Sequence, residues 1–189
     1  AISQASEGRG CMVTGVGQHQ MWAAQFYRSV TPNNWFTSGG LGTMGFEVPA
    51  ALGVQVGRPG ATVWSIAGDG GFQMTMSELA TVAENNLPIK YAILNNNMLG
   101  MITQWQDMFY EKGYYANAYT GSPDFVKLAE AFGIRGLRCE SQENLEQVIR
   151  EAMEHPGPVV VDFRVRAEEN VYPMIPSGQS IEELIEEPV

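Results

Sequence analysis

Positive charge is scarce in this chain. Its 11 lysines and arginines stand against 21 aspartates and glutamates, for a net charge of −10 over 189 residues. A nucleic-acid backbone is held by clustered Lys and Arg, so this balance argues against such a partner. A small phosphate ligand is not excluded, because backbone N–H groups and a metal ion can hold it instead. Cysteine is nearly absent too. Cys11 and Cys139 lie far apart and outside any CxxC pair, which removes zinc and redox motifs and leaves two reduced thiols of an intracellular protein. No apolar run is long enough to span a membrane, and no signal-peptide pattern opens the chain. Repeats and low-complexity stretches are missing. What is present is 44% hydrophobic and 17% charged, the balance of one globular domain with a real core. A polar segment from Ala1 runs straight into a strand, which fits a domain excised from a longer protein.

Strand and helix patterns alternate. Cys11–Thr14, Trp35–Ser38, Thr62–Ala67, Ile89–Leu94, Ile134–Cys139 and Pro158–Val165 read as strands. Between them, His19–Ser29, Val48–Val56, Leu99–Glu111 and Glu143–Glu154 read as helices. Another helix is expected to open on a capping box at Thr75–Glu78, with Met76, Leu79, Ala80 and Ala83 inward. One more should start with Ser122 as cap and Pro123 at its first position, and end at Gly133. The alternation specifies an α/β fold: a doubly wound, mainly parallel sheet of about six strands with helices on both faces. Residues 1–165 are expected to form this domain. Residues 166–189 are expected to be a tail packing on or near the site, with a short acidic helix near Ser180–Glu186. The spacing of Ile102, Trp105 and Phe109 predicts a buried helix face, at least for Ile102 and Phe109.

Chemistry concentrates in one βαβ unit. Asp69 lies just past one apolar strand and Asn96 just past the next. Neighbouring strands lie about 4.8 Å apart, so the two residues can aim hard oxygens at one point beyond the strand ends. Such oxygens suit Mg²⁺ shared with phosphates. Gly70 and Gly71 let backbone N–H groups approach a phosphate closely, and a helix follows them. The residues alone therefore point to a Mg²⁺–diphosphate site.

Gly68-Asp69-Gly70, the stretch Gly71–Leu94 and then Asn95-Asn96 resemble the signature of thiamine-diphosphate enzymes. Val16–Gln25, Ser38–Phe46, Leu99–Gln106 with Phe109-Tyr110, and Tyr172–Pro176 are similar to segments of the acetolactate synthase (acetohydroxyacid synthase) family. Nearly the whole chain resembles the C-terminal, thiamine-diphosphate-binding domain of that family's catalytic subunit. The resemblance implies Mg²⁺ bound by Asp69, Asn96 and the Met98 carbonyl. It puts Gln18 and His19 on the diphosphate, in a cradle of Gly68, Asp69, Gly70 and Gly71. The Gly42 carbonyl would accept from the aminopyrimidine 4′-amino group. Met44 would sit beneath the cofactor and enforce its bent shape, and Met101 and Trp105 would line the pocket for the second 2-ketoacid. No catalytic residue is assigned within the chain itself.

The implied activity joins pyruvate to pyruvate or 2-ketobutyrate with loss of CO₂, in branched-chain amino-acid synthesis. The implied partners are the 2-ketoacid substrates, the N-terminal domains of the same enzyme and a second catalytic subunit, with a regulatory subunit left open. FAD would belong to the full-length enzyme. The implied compartment is the cytoplasm, or a plastid or mitochondrion in a eukaryote. No segment resembles the flavin domain or the domain carrying the activating glutamate, so the isolated chain is expected to be inactive. Two departures stand out. Glu47-Val48 replaces the more usual Gly-Leu, and Tyr114–Ser122 differs from the common charged version.

Other readings stay open at this point. Another thiamine-diphosphate decarboxylase, oxidase or carboligase would share the metal motif. Gly40–Gly45 formally fits the GxGxxG dinucleotide fingerprint, though the strand before it is short. His19 could be a metal ligand or general base, Met44 a plain core methionine, and the domain a non-catalytic interaction module.

Overall fold

The computed structural model describes residues 1–187, so the last two residues of the expected tail lie outside it. Six strands form one sheet: β1 (Cys11–Thr14), β2 (Trp35–Thr37), β3 (Val63–Gly68), β4 (Lys90–Asn95), β5 (Arg135–Cys139) and β6 (Val159–Arg164). Their order is β2-β1-β3-β4-β6-β5, and every neighbouring pair is parallel. The helices are α1 (Ile2–Ala5), α2 (Gln18–Phe26), α3 (Glu47–Gly57), α4 (Asp69–Thr75), α5 (Leu79–Glu84), α6 (Gly100–Phe109), α7 (Phe125–Ala131) and α8 (Leu145–Glu154).

The strands are apolar nearly throughout because both faces of the sheet are covered. Successive side chains alternate between two cores. Val13, Val63, Tyr91, Ile93 and Val160 pack with Val48 and Ala51 of α3, Phe72 of α4 and Phe125 of α7. Met12, Trp64, Ile66, Ala92 and Val161 pack on the other face with Val148 and Ile149 of α8 and Ala23 of α2. Burying such side chains contributes about 1.5–3 kcal/mol each, which locks the register. The doubly wound α/β expectation therefore holds.

Several local expectations do not, and among them Ala80, expected inward, is exposed while Val82 is buried in its place. The helix after β3 begins at Asp69 itself, and a 3₁₀ turn over Met76–Glu78 joins α4 to α5. Thr75 does not cap a helix, because its hydroxyl donates to the Gly45 carbonyl at 2.8 Å. α7 is capped by Asp124 rather than Ser122: its carboxylate accepts from the Val126 and Lys127 N–H groups, and Arg138 holds it in place. Finally, Ile102, Trp105 and Phe109 are 47%, 42% and 42% exposed. α6 edges a cavity with its apolar side instead of resting on a sheet face, and the side chain it buries is Gln104.

The chain leaves β1 toward β2 on one side and returns to β3 on the other. That reversal opens a crevice between the carboxyl ends of β1 and β3, where such sheets collect ligands.

Candidate functional site

A cavity of about 640 Å³ occupies this crevice. Residues 16–22 after β1 and 68–71 after β3 form two of its walls. Residues 98–102 with Asn96, after β4, form a third, while Met44 and the tail residues Met174–Ser177 close the remainder. Its size and mixed lining suit a small cofactor.

Asp69 anchors the polar end. β3 stops at Gly68, which pairs with Leu94 of β4, so the Asp69 turn and the Asn95–Met98 loop emerge side by side. Asp69 is buried. Its Oδ1 accepts from the Gly70 N–H at 2.8 Å, and Oδ2 has no partner. Burial pushes its pKa up to about 6, against the pull of the Gly70, Asn97 and Met98 N–H groups. A buried carboxylate oxygen without a partner is costly, and a cation would satisfy it. The Asn96 Oδ1 currently accepts from the Met98 N–H at 3.2 Å. Residues 97–99 pair antiparallel with 117–119: Tyr119 N–H donates to the Asn97 carbonyl at 3.1 Å, and Leu99 N–H to the Asn117 carbonyl at 2.7 Å. In that pattern the backbone groups of Met98 point away from the partner segment, leaving its carbonyl free to coordinate. Among the described residues no three His, Cys, Asp or Glu side chains converge on a point. A metal here must draw on amide and backbone oxygens as well, a donor set that suits Mg²⁺.

The glycines are needed for space. A Cβ on Gly70 would strike the Tyr119 hydroxyl and the Leu99 side chain, and one on Gly68 would come within 2.9 Å of the His19 ring. His19 is buried in the first turn of α2, and its Nε2 has no partner. Burial pushes its pKa down to about 4, so the imidazole is neutral near pH 7. Gln18 is buried beside it and donates through Nε2 to Gln104 Oε1 and to the Glu169 carbonyl, each at 3.0 Å.

Met44, Met101 and Trp105 all reach the cavity. Gly42 lies outside its wall, on the exposed loop two residues before Met44, at φ +63°. The sequence reading thus names residues that gather at one place, with Gly42 at its margin.

Four residues escaped that reading. Glu47 is fully buried behind the Asp69 turn, between Gly15 and Gly71, with both oxygens unpartnered. Burial pushes its pKa up to about 7, with the Glu47 and Gly45 N–H groups opposing. Its departure from the usual glycine was visible in the sequence, but its burial was not. Asp162 of β6 is fully buried, accepts from Asn95 Nδ2 at 2.9 Å and pairs with Arg138 and Arg164 at 3.2 Å. Gln104 and Tyr119 complete the set: Gln104 stood beside Trp105 in the sequence, and Tyr119 lay within the unusual Tyr114–Ser122 stretch.

A parallel α/β domain whose switch point offers a buried acid, a glycine cradle and a free backbone carbonyl has the features of a site for a phosphorylated ligand. The comparisons with known proteins are more specific. The family model described as "Thiamine pyrophosphate enzyme, C-terminal TPP binding domain" matches residues 15–163, and the chain belongs to that family. The chain is 53% identical over 177 residues to an acetolactate synthase of Mycobacterium bovis, covering 91% of this chain. It is 49% identical over 174 residues to a mitochondrial acetolactate synthase of Schizosaccharomyces pombe, with 92% of this chain covered. With a chloroplastic acetolactate synthase of Nicotiana tabacum it is 45% identical over 194 residues, and 98% is covered. The chain spans 29%, 26% and 29% of the length of these three curated relatives. Among the described residues no helix is long and apolar enough to cross a membrane.

Proposed function

We propose that this chain is the cofactor-binding part of an acetolactate synthase catalytic subunit, holding thiamine diphosphate through Mg²⁺. The observation that carries the reading is the buried Asp69 carboxylate, with one oxygen unpartnered, set beside the Asn96–Met98 loop at the neighbouring strand end. Asp69, Asn96 and the Met98 carbonyl would hold the metal. Gln18, through its backbone N–H at the start of α2, and His19 would meet the diphosphate, and Gly68, Gly70 and Gly71 leave it room. The Gly42 carbonyl would accept from the aminopyrimidine amino group, with Met44 beneath. Bound there, thiamine diphosphate supplies the carbanion chemistry by which one 2-ketoacid loses CO₂ and joins a second.

The residues of the chain bind, orient and exclude water. Neutral His19 offers a hydrogen bond without adding charge beside the diphosphate. Met101 and Trp105 give the second 2-ketoacid, pyruvate or 2-ketobutyrate, an apolar seat that strengthens the polar contacts around it. Residues 1–165 would be the binding domain and 166–189 a tail closing onto it. The N-terminal domains, a second catalytic subunit, FAD and the activating glutamate belong to the longer protein. The cytoplasm, or an organelle in a eukaryote, is the compartment that goes with this reading.

The Gly40–Gly45 run weighs against NAD. It follows an edge strand of three residues, and α3 starts only at Glu47. A Rossmann turn instead passes directly from strand to helix. The deciding experiment is calorimetric titration of thiamine diphosphate into the chain with Mg²⁺, then with a chelator. Binding should require Mg²⁺ and be lost in Asp69→Ala. Binding that survives both changes would overturn the assignment.

A further inference from the structure

Gln104 is the only fully buried side chain of α6, and it is polar. A buried amide is destabilising unless its donors and acceptor are satisfied. Gln104 finds its partners in the tail. Its Nε2 donates to the Val171 carbonyl and its Oε1 accepts from the Val171 N–H, both at 2.9 Å. One side chain thus holds both backbone groups of Val171, as a neighbouring strand would. Val171 is itself fully buried, and three residues later Met174 begins the stretch that lines the cavity mouth.

The same Gln104 oxygen accepts from Gln18 Nε2, which also donates to the Glu169 carbonyl. The other end of Gln18 faces the metal loop: its Oε1 lies 3.5 Å from Asn96 Nδ2. Gly100, at the start of α6, makes room for this amide, because a Cβ there would collide with Gln18 Oε1. Two buried amides therefore connect Asn96, α6 and the tail. If the tail swings away, Gln104 loses both bonds to Val171 and Gln18 loses its bond to Glu169. If Asn96 shifts to take a ligand, Gln18 is the first side chain to feel it.

We propose that Gln104 is a positioning residue. It fastens the tail across the cavity mouth and, through Gln18, links that closure to occupancy of the Asp69–Asn96 seat. The fastening stands on the hydrogen bonds alone, while the link to occupancy rests on the cofactor reading above.

Amide hydrogen exchange at Val171 tests both parts, because that N–H donates directly to Gln104. In the free chain, Gln104→Leu should speed Val171 exchange about tenfold or more while the β4 amides stay protected. Gln104→Met keeps the length of the side chain but can make neither bond, so it should also speed Val171 exchange about tenfold or more with β4 protected. Unchanged Val171 exchange in Gln104→Leu, with β4 protected, would overturn the fastening. Should Gln104→Leu also lose the β4 amides, Gln104→Met carries the test, and a Val171 that stays protected there overturns it. Adding Mg²⁺ and thiamine diphosphate should slow Val171 exchange in the parent chain and not in Gln104→Leu. Heat of binding without any slowing in the parent chain would overturn the link. Absence of binding would count against the cofactor reading itself, and the free-chain comparison would still decide the fastening.

Discussion

Glu47 brings a carboxyl into the interior with neither oxygen hydrogen-bonded. Charge there is expensive, so the folded protein favours the neutral acid and burial pushes the pKa from 4.5 up to about 7. The sign follows by linkage. In the range between these two values the unfolded chain has lost the proton and the folded chain keeps it. Unfolding then releases a proton, so the Glu47 contribution to stability falls as pH rises from about 4.5 to about 7 and is flat above. At about 1.4 kcal/mol per pKa unit, the whole swing is at most roughly 3 kcal/mol. His19 acts in the opposite sense, since its depressed pKa lowers stability as pH falls from 6.5 toward about 4. Comparison with Glu47→Gln removes that background. The stability of the variant relative to the parent should improve by roughly 1–3 kcal/mol between about pH 4 and pH 8, measured by urea unfolding. A difference independent of pH would mean that Glu47 is ionised in the fold.

The loop after β4 owes its shape to groups that point away from the cavity. Asn95 donates to Asp162 at 2.9 Å and accepts from the Asn97 N–H at 3.2 Å, while Asn97 itself sits at φ +58°. Arg138 and Arg164 hold Asp162 from the other side. Outer partners of this kind orient metal ligands, and their removal typically weakens metal binding by 10–100-fold. Asn95→Ala should accordingly weaken the Mg²⁺ dependence of thiamine diphosphate binding by roughly 10–100-fold, at a cost of about 1–3 kcal/mol in stability. Asn95→Asp should unfold more readily still, because it sets a like charge against the buried Asp162. Calorimetry and thermal unfolding of the two variants separate the effects, and Mg²⁺ affinity unchanged in Asn95→Ala would refute the orienting role. None of this was legible in advance. Asn95 was visible only as half of an Asn-Asn pair, and Asp162 as a polar residue inside an apolar strand. What joins them is the parallel pairing of β4 with β6, a contact between strands far apart in sequence.

At the scale of the molecule, the elements that hydrophobic period and turn chemistry specify were readable: six parallel strands, helices on both faces, and Asp69 and Asn96 at neighbouring strand ends. The misread features were those decided by tertiary contact, such as Thr75 drawn to Gly45, Asp124 held by Arg138, and α6 set at the cavity rim with Gln104 inward. The same geometry limits what the chain does alone. The titratable side chains lining the cavity are His19, Asp69 and Tyr110. His19 is held neutral, with a pKa near 4, and Asp69 is assigned to the metal. Tyr110 stands 63% exposed at the rim. Among the described residues that line the cavity, no carboxylate or imidazole is left to act as general base for the cofactor, a role that needs a pKa close to the working pH. The purified chain, saturated with Mg²⁺ and thiamine diphosphate and given pyruvate, should therefore form no acetolactate. Co-expression with the preceding domains of such a subunit, which would bring the glutamate, should restore turnover. Acetolactate produced by the chain alone would mean that a proton-transfer group exists within these residues, and Glu47, behind the Asp69 turn, would be the first to replace.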